Sequence, residues 1–345
     1  MNQQDQTLKK IYSFAIEIQK LAPWQWMYES ELFGIQLPDA HSTWFPSIMG
    51  SAGQFLAISF YEGEEAAHHF LSIQERASEA KPFDILMIPH IMIAFQDLHL
   101  LEQDERNRFN ELGYSLSASN KWPVLSQITP GHPPFFPEKQ KLHELLTVLE
   151  QTLIVVKRAK TEEFAFLSKT REGISGYYRV CETDSGMENW QDAYLTFQPV
   201  TVPVNVPYSR NQIQVLNRIP KNNLIVEGVF SLIPNPVSDM IPEYYPFVLL
   251  LVERKSGYII QFEILTPHPN FNEMYSSTGM KFLDALIKKN IHPLEVRVNS
   301  VRLLQILKKV LAETSIRLSY KKKLPAAEDA LESLIHFMSS PKGLN

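Results

Sequence analysis

From Leu224 onward the apolar residues fall into a pattern that few folds accommodate: three strand-like runs in succession, then helix and strand in alternation. The runs are 224–233, 247–253 and 258–265, the first two separated by a loop carrying Pro234, Pro236 and Pro242, the last two by a turn at Ser256-Gly257. Helix 271–290, strand 294–298, helix 300–313, strand 316–319 and helix 326–338 follow. The order βββαβαβα predicts an α/β three-layer domain over residues 221–345.

The first half reads differently. Leu8, Ile11, Ala15, Ile18 and Leu21 recur at three- and four-residue spacing and predict a helix over 5–21 that Pro23 ends. Trp24, Trp26 and Tyr28 alternate as a half-buried strand would, with turns at Glu29 to Glu31 and Gly34. Segments 43–49 and 54–61 form a hairpin through Gly50-Ser51-Ala52-Gly53, whose glycines permit positive φ. Helix 62–79, strands 83–88 and 91–95, helix 102–112 closed by Gly113 and strand 122–128 come next. Four prolines make 130–137 an extended loop before a long amphipathic helix over 138–157. This is an α+β domain, rich in aromatics, over residues 1–160. Residues 161–220 read as a connecting region with a possible hairpin of strands 177–183 and 193–198 around Asp184, Ser185 and Gly186, followed by Pro199, Pro203 and Pro207.

Composition narrows the functional classes. A chain of 345 residues, 44% hydrophobic and 21% charged, is globular rather than disordered or fibrous. Its longest apolar stretches fall well short of the roughly 20 residues a membrane helix needs, so no membrane partner is expected. The first residues lack the basic start and apolar run of a secretion signal, and one cysteine, Cys181, excludes an intramolecular disulfide. Both features predict a cytoplasmic protein. The net charge of −5 is unevenly spread: Lys281 to Lys323 holds eleven Lys and Arg against three acids, a local +8 that leaves −13 elsewhere. Within it, Lys308, Lys309, Lys321, Lys322 and Lys323 are the candidate nucleic-acid contacts, since each neutralised phosphate releases counterions.

The βββαβαβα order resembles ribonuclease-H-like domains. In that resemblance the stretch Phe247 to Ile260 corresponds to the strand-turn-strand bearing a first catalytic acid, which implies Glu253 for that role, or Glu227 if strand 224–233 comes first. A second acid at the end of the fourth strand would fall at Asn299, an amide that supplies no charged metal ligand, and a third among Glu328, Asp329 and Glu332. Two-metal phosphoryl transfer needs several converging carboxylates, and one is missing. The resemblance is therefore to a degenerate form, with Mg²⁺ or Mn²⁺ as cofactor only if it is a nuclease. The chain as a whole resembles a family of uncharacterised bacterial proteins built from two domains of unknown function. In the first half this rests on Trp24 to Met27, Leu32 to Ile35, Ile48 to Gly50, Phe60 to Gly63, Lys121 to Pro123 and Thr129 to Gly131. In the second it rests on Val252 to Gly257, Arg297 to Asn299 and Leu324-Pro325. That family implies an architecture and no activity.

Other chemistry finds no complete set. His143-Glu144 opens like a zinc-protease helix, but Thr147 stands where the second histidine belongs. His68 and His69 point to different helix faces, and no metal site is assigned. Neither phosphate-binding glycine motif nor a nucleophile elbow is present, and Cys181 lies in an acidic stretch that gives no reason for a lowered thiol pKa. Nine aromatic residues lie between Trp24 and Tyr61, most of them core. Trp44, with Phe135 and Phe136 of the proline-rich loop, is the candidate ligand surface. The sequence reads as a non-enzymatic binding protein with a protein or nucleic-acid partner. The alternatives are a metal-dependent nuclease or phosphoryl-transfer enzyme and a small-molecule binder in the first domain; the sequence fixes no oligomeric state.

Overall fold

The computed structural model describes every residue except 1–2, 39–41, 54, 76–83, 185–186, 199–205, 208, 239–241 and 340–345, and every described side chain except those of 184 and 337–339. Two units form: residues 1–130 with 134–201, and residues 131–133 with 202–345.

In the first unit α1 (Gln3–Leu21) ends at Ala22, whose left-handed φ of 54° turns the chain into a 3-10 turn beginning at Pro23. The expected strand through Trp24, Trp26 and Tyr28 is therefore absent: the proline fixes a turn, and Trp24 packs its ring 6.0 Å from that of Phe95. Gly34 is not a turn residue either. It opens β1 (Gly34–Gln36) opposite Tyr178, whose ring occupies the space a Cβ would need. The hairpin of β2 (Thr43–Met49) and β3 (Ala57–Glu62) forms as expected, with α2 (Gly63–Gln74) directly after it. Gln54 and the last residues of helix 62–79 lie outside the described residues. Asp84–Met87 is a 3-10 turn rather than a strand, with Phe83 outside the described residues, and β4 (His90–Asp97) follows. Then come α3 (Gln103–Glu111), β5 (Lys121–Ile128) and α4 (Lys139–Arg158).

Beyond α4, β6 (Ser168–Thr170), β7 (Gly173–Asp184) and β8 (Met187–Phe197) join the same sheet, β7 lying parallel to β1 and antiparallel to β8. The segment read as a connecting region thus extends the first sheet, whose order is β5-β4-β3-β2-β1-β7-β6 with β8 on β7. The turn residues Ser185 and Gly186, and Pro199 and Pro203, lie outside the described residues. Alternation divides the core. Trp44, Ile48, Ile58 and Phe60 pack with α1 and α4 on one face, while Phe45 and Tyr61 pack with Phe70 and Leu71 of α2 on the other.

The second unit begins with α5 (Arg210–Arg218). It continues as β9 (Ile225–Leu232), β10 (Phe247–Glu253), β11 (Ile259–Leu265), α6 (Phe271–Lys288), β12 (Glu295–Val298), α7 (Val301–Val310), β13 (Arg317–Tyr320) and α8 (Pro325–Ser339). From β9 onward this is the expected βββαβαβα order. The sheet runs β11-β10-β9-β12-β13, antiparallel across its first three strands and parallel from β9 to β13. On one face Val229, Val248, Leu250 and Val252 pack against Leu324 and Ala327 of the α8 segment. On the other, a Cβ at Gly228 would touch Leu303 of α7, and α6 approaches α7 at Gly279. Helices on both faces make three layers.

Candidate functional site

The candidate centre lies around the first turn of α8. Glu227, third residue of β9, pairs in register with Val252 and Arg297, and its side chain lies on the α8 face. It is 1% exposed, and the Ala327 N–H donates to its Oε2 at 3.1 Å. A carboxylate there satisfies a donor left open by the helix start and complements the positive end of the helix dipole. Arg254, the residue after β10, places Nε 3.4 Å from the other oxygen, Oε1. Burying a carboxylate costs several kcal/mol unless it is paired, and Arg254 supplies the pair.

Asn299 follows β12 directly. Its Nδ2 donates to Glu328 Oε1 at 3.1 Å, while its Oδ1 is buried and, among the described residues, accepts no hydrogen bond. Glu227, Asn299 and Glu328, drawn from the first strand, the end of the fourth and the last helix, are thus brought to one corner. Asp329 and Glu332 are exposed on α8.

Glu253 is not part of that corner. It pairs with Val226, so strand alternation puts it on the α7 face, opposite Glu227. Its oxygens accept from the N–H of Lys255 at 3.0 Å, the N–H of Ser256 at 2.7 Å and the Ser256 hydroxyl at 2.6 Å. Burial alone would raise its pKa, but these donors outweigh it and hold the carboxyl below the usual carboxylate range. Glu253 closes the β10–β11 turn. Pairing it with Glu328, Asp329 or Glu332 on one metal is incompatible with the sheet between them.

A second polar group shares the α8 face. Glu295, 3% exposed, accepts from Arg297 at 2.9 Å, Arg317 at 3.2 Å and the Ser319 hydroxyl at 2.8 Å. Burial raises its pKa, while Arg297, Ser319 and Arg317 pull it down further, for a net lowering. Sequence reading missed Arg254 and this group. Register reveals the group: Glu295 pairs with Arg317, and Arg297 with Ser319 and Glu227.

The basic candidates separate. Lys321, Lys322 and Lys323 are exposed at the end of β13, where the Lys321 N–H donates to Val298 O beside Asn299. Lys308 and Lys309 are exposed at the far end of α7, about 11–12 Å along the helix axis from its start. They do not form one patch with the lysine triplet. In the first unit Trp44 is 0% exposed, within the core cluster of α1 and α4, so it lines no surface. Phe135 is 40% exposed and Phe136 half-buried, with the Arg108 guanidinium 3.8 Å above the Phe136 ring. Among the described residues no three His, Cys, Asp or Glu side chains group to hold a metal ion, and no helix is long and apolar enough to cross a membrane.

Residues 9–175 match a family model described as a domain of unknown function (DUF7309), and residues 212–335 match another described as a domain of unknown function (DUF6930). Two domains of unknown function, as the whole-chain resemblance implied, thus follow one another along the chain. No curated protein matches the chain. No solved structure matches it.

Proposed function

We propose that this is a cytoplasmic, non-catalytic recognition protein whose second unit is a degenerate ribonuclease-H-like domain that binds nucleic acid beside its former acidic centre. The observation that carries the reading is the ion pair of Glu227 with Arg254. Where phosphoryl-transfer chemistry would need a divalent cation between carboxylates, this chain supplies its own guanidinium, and an amide, Asn299, replaces the acid at the end of β12. The strand order and directions of the second sheet support the fold assignment. The exposed run Lys321 to Lys323 lies at the same strand ends as Asn299 and the first turn of α8, where a phosphate backbone would meet three cations without a catalytic metal.

The test is fluorescence anisotropy of the full chain with labelled single- and double-stranded DNA and RNA at about 50 and 200 mM salt, with a Mg²⁺ or Mn²⁺ cleavage gel on the same samples. The expected result is binding that weakens by at least tenfold at the higher salt, is lost when Lys321, Lys322 and Lys323 become Glu, and proceeds without cleavage. Absence of binding at low salt overturns the nucleic-acid reading and turns the search to protein partners. The convergence of Glu227 and Glu328 favours one alternative, a metal-dependent nuclease. It requires cleavage abolished by Glu227→Gln and unaffected by Glu253→Gln.

A further inference from the structure

Three parallel strands of the second sheet are each entered from a helix: α5 leads into β9, α6 into β12 and α7 into β13. The C-termini of the three helices therefore lie at one end of that sheet. Buried His292 ties the connecting loops together. It is 1% exposed, with Nδ1 3.3 Å from Ile219 O and Nε2 3.4 Å from Ser315 Oγ, and its carbonyl accepts from the Asn222 N–H at 3.1 Å. The resulting rim is basic. Arg218 and Lys221 come from the end of α5 and its loop, Lys288 and Lys289 from the end of α6, and Lys308 and Lys309 from the end of α7, all of them exposed. Residues 218–224, 288–294 and 308–316 hold one acid against them, Glu313. Two large apolar side chains are exposed at the same strand ends: Leu294, at 49%, in the loop before β12, and Tyr258, at 54%, whose hydroxyl accepts from Lys289 Nζ at 3.4 Å. The triplet Lys321 to Lys323 follows β13 and so lies at the opposite strand ends.

We infer that this rim docks an acidic segment of a partner protein, with Tyr258 and Leu294 as its apolar anchors. The cations select an acidic partner, since complementary charge steers encounter and rejects basic surfaces. The helix ends select a polypeptide over a phosphate backbone. Three helix C-termini bring carbonyl acceptors and partial negative charge to the rim, whereas phosphates favour the opposite, N-terminal ends of helices and carry acceptors without donors. A polypeptide supplies backbone N–H donors together with its carboxylates. An exposed aromatic ring among polar groups is also how protein interfaces concentrate their binding energy. Because the rim and the lysine triplet lie at opposite strand ends, binding at the two is separable by mutation.

Fluorescence anisotropy of the full chain with a labelled peptide of three Glu-Leu-Asp-Tyr repeats, at about 50 mM salt, tests this. The expected result is saturable binding below about 100 μM that weakens at least about tenfold when Lys288, Lys289 and Lys308 become Gln, and at least about threefold in Tyr258→Ser. An all-Glu peptide of the same length, which lacks anchors, is expected to bind at least about fivefold more weakly. Far-UV circular dichroism checks the fold; if the triple Gln variant misfolds, Arg218→Gln with Lys221→Gln serves in its place. Changing Lys321, Lys322 and Lys323 to Glu is expected to leave peptide binding intact, which keeps this result distinct from that of the oligonucleotide titration. No binding of the Glu-Leu-Asp-Tyr peptide, binding indifferent to the rim variants, equal binding of the all-Glu peptide, or oligonucleotide binding that the rim variants abolish overturns the proposal.

Discussion

His90 shows how far a single buried side chain can set behaviour that its sequence context does not announce. It starts β4, 5% exposed, with Nδ1 2.8 Å from Ile88 O and its ring 5.2 Å from that of Tyr61. Burial pushes its pKa down from 6.5 to about 4, against a smaller upward pull from the Ile88 carbonyl. The unfolded chain takes up this proton near pH 6.5 and the folded chain only near 4, so between those values the unfolded state binds more protons. Stability contributed by the neutral ring is full above pH 6.5 and falls as pH drops toward 4, by about 3 kcal/mol in all. Urea titrations at pH 7, 6, 5 and 4 are expected to show that slope, and His90→Gln to flatten it; an unchanged slope in the variant would assign it to other groups. Arg254 has the complementary role for Glu227. Arg254→Ala leaves a buried carboxylate without its guanidinium, with the Ala327 N–H still donating to it, and is expected to lower stability by about 1–3 kcal/mol, read from the urea midpoint at pH 7.

At the scale of elements, legibility followed the strength of the local pattern. The apolar runs of β9 and β10 and the periodic faces of α1 and α4 are visible because burial dictates every second residue or every third and fourth. α5 buries only Ile213 and Leu216, a single three-residue step that gives no period to detect. The hairpin expected over 177–183 and 193–198 forms as β7 and β8, although most of β8 is exposed, while β7 finds its parallel neighbour β1 some 140 residues earlier in sequence. Non-local pairing of that kind leaves no mark on a short window. Of the candidate centre, Asn299, Glu328 among three acids of the last helix, and Glu227 as the alternative to Glu253 were implied by the ribonuclease-H-like resemblance. Arg254 was not, because its partner comes from the neighbouring strand. A close approach legible only in three dimensions is Gly279 of α6, where a Cβ would stand 2.7 Å from Val206 Cγ1 and 2.8 Å from Val310 Cγ2. Alanine gains up to about 1 kcal/mol in helix preference, but forcing it against two buried branched side chains costs about 1–3. Gly279→Ala is expected to destabilise the fold by about 1 kcal/mol, measured by urea unfolding; a stabilised variant would show that α6 and α7 move apart freely.

For the whole molecule, the two units carry separate cores; the family match over 212–335 falls within the second, and that over 9–175 within the first apart from residues 131–133. The second unit has a sheet covered on both faces by its own helices, with Phe282, Leu286, Leu303 and Ile306 fully buried between α6, α7 and the strands. A core of that completeness holds the features a chain needs to fold alone. The contribution it draws from elsewhere in sequence is small: in the tripeptide 131–133, the Gly131 carbonyl accepts from the Tyr245 N–H at 2.7 Å, and the His132 ring lies 2.7 Å through Nδ1 from the Glu243 carbonyl. A fragment of residues 202–345 is therefore expected to unfold in one cooperative urea transition. Restoring Gly131 to Pro133 through a short linker should stabilise it by about 1–2 kcal/mol, the worth of one or two hydrogen bonds. A fragment with helical and strand circular dichroism but no cooperative transition would mean that the packing of α6 and α7 depends on the first unit, and the independence of the two cores would be refuted.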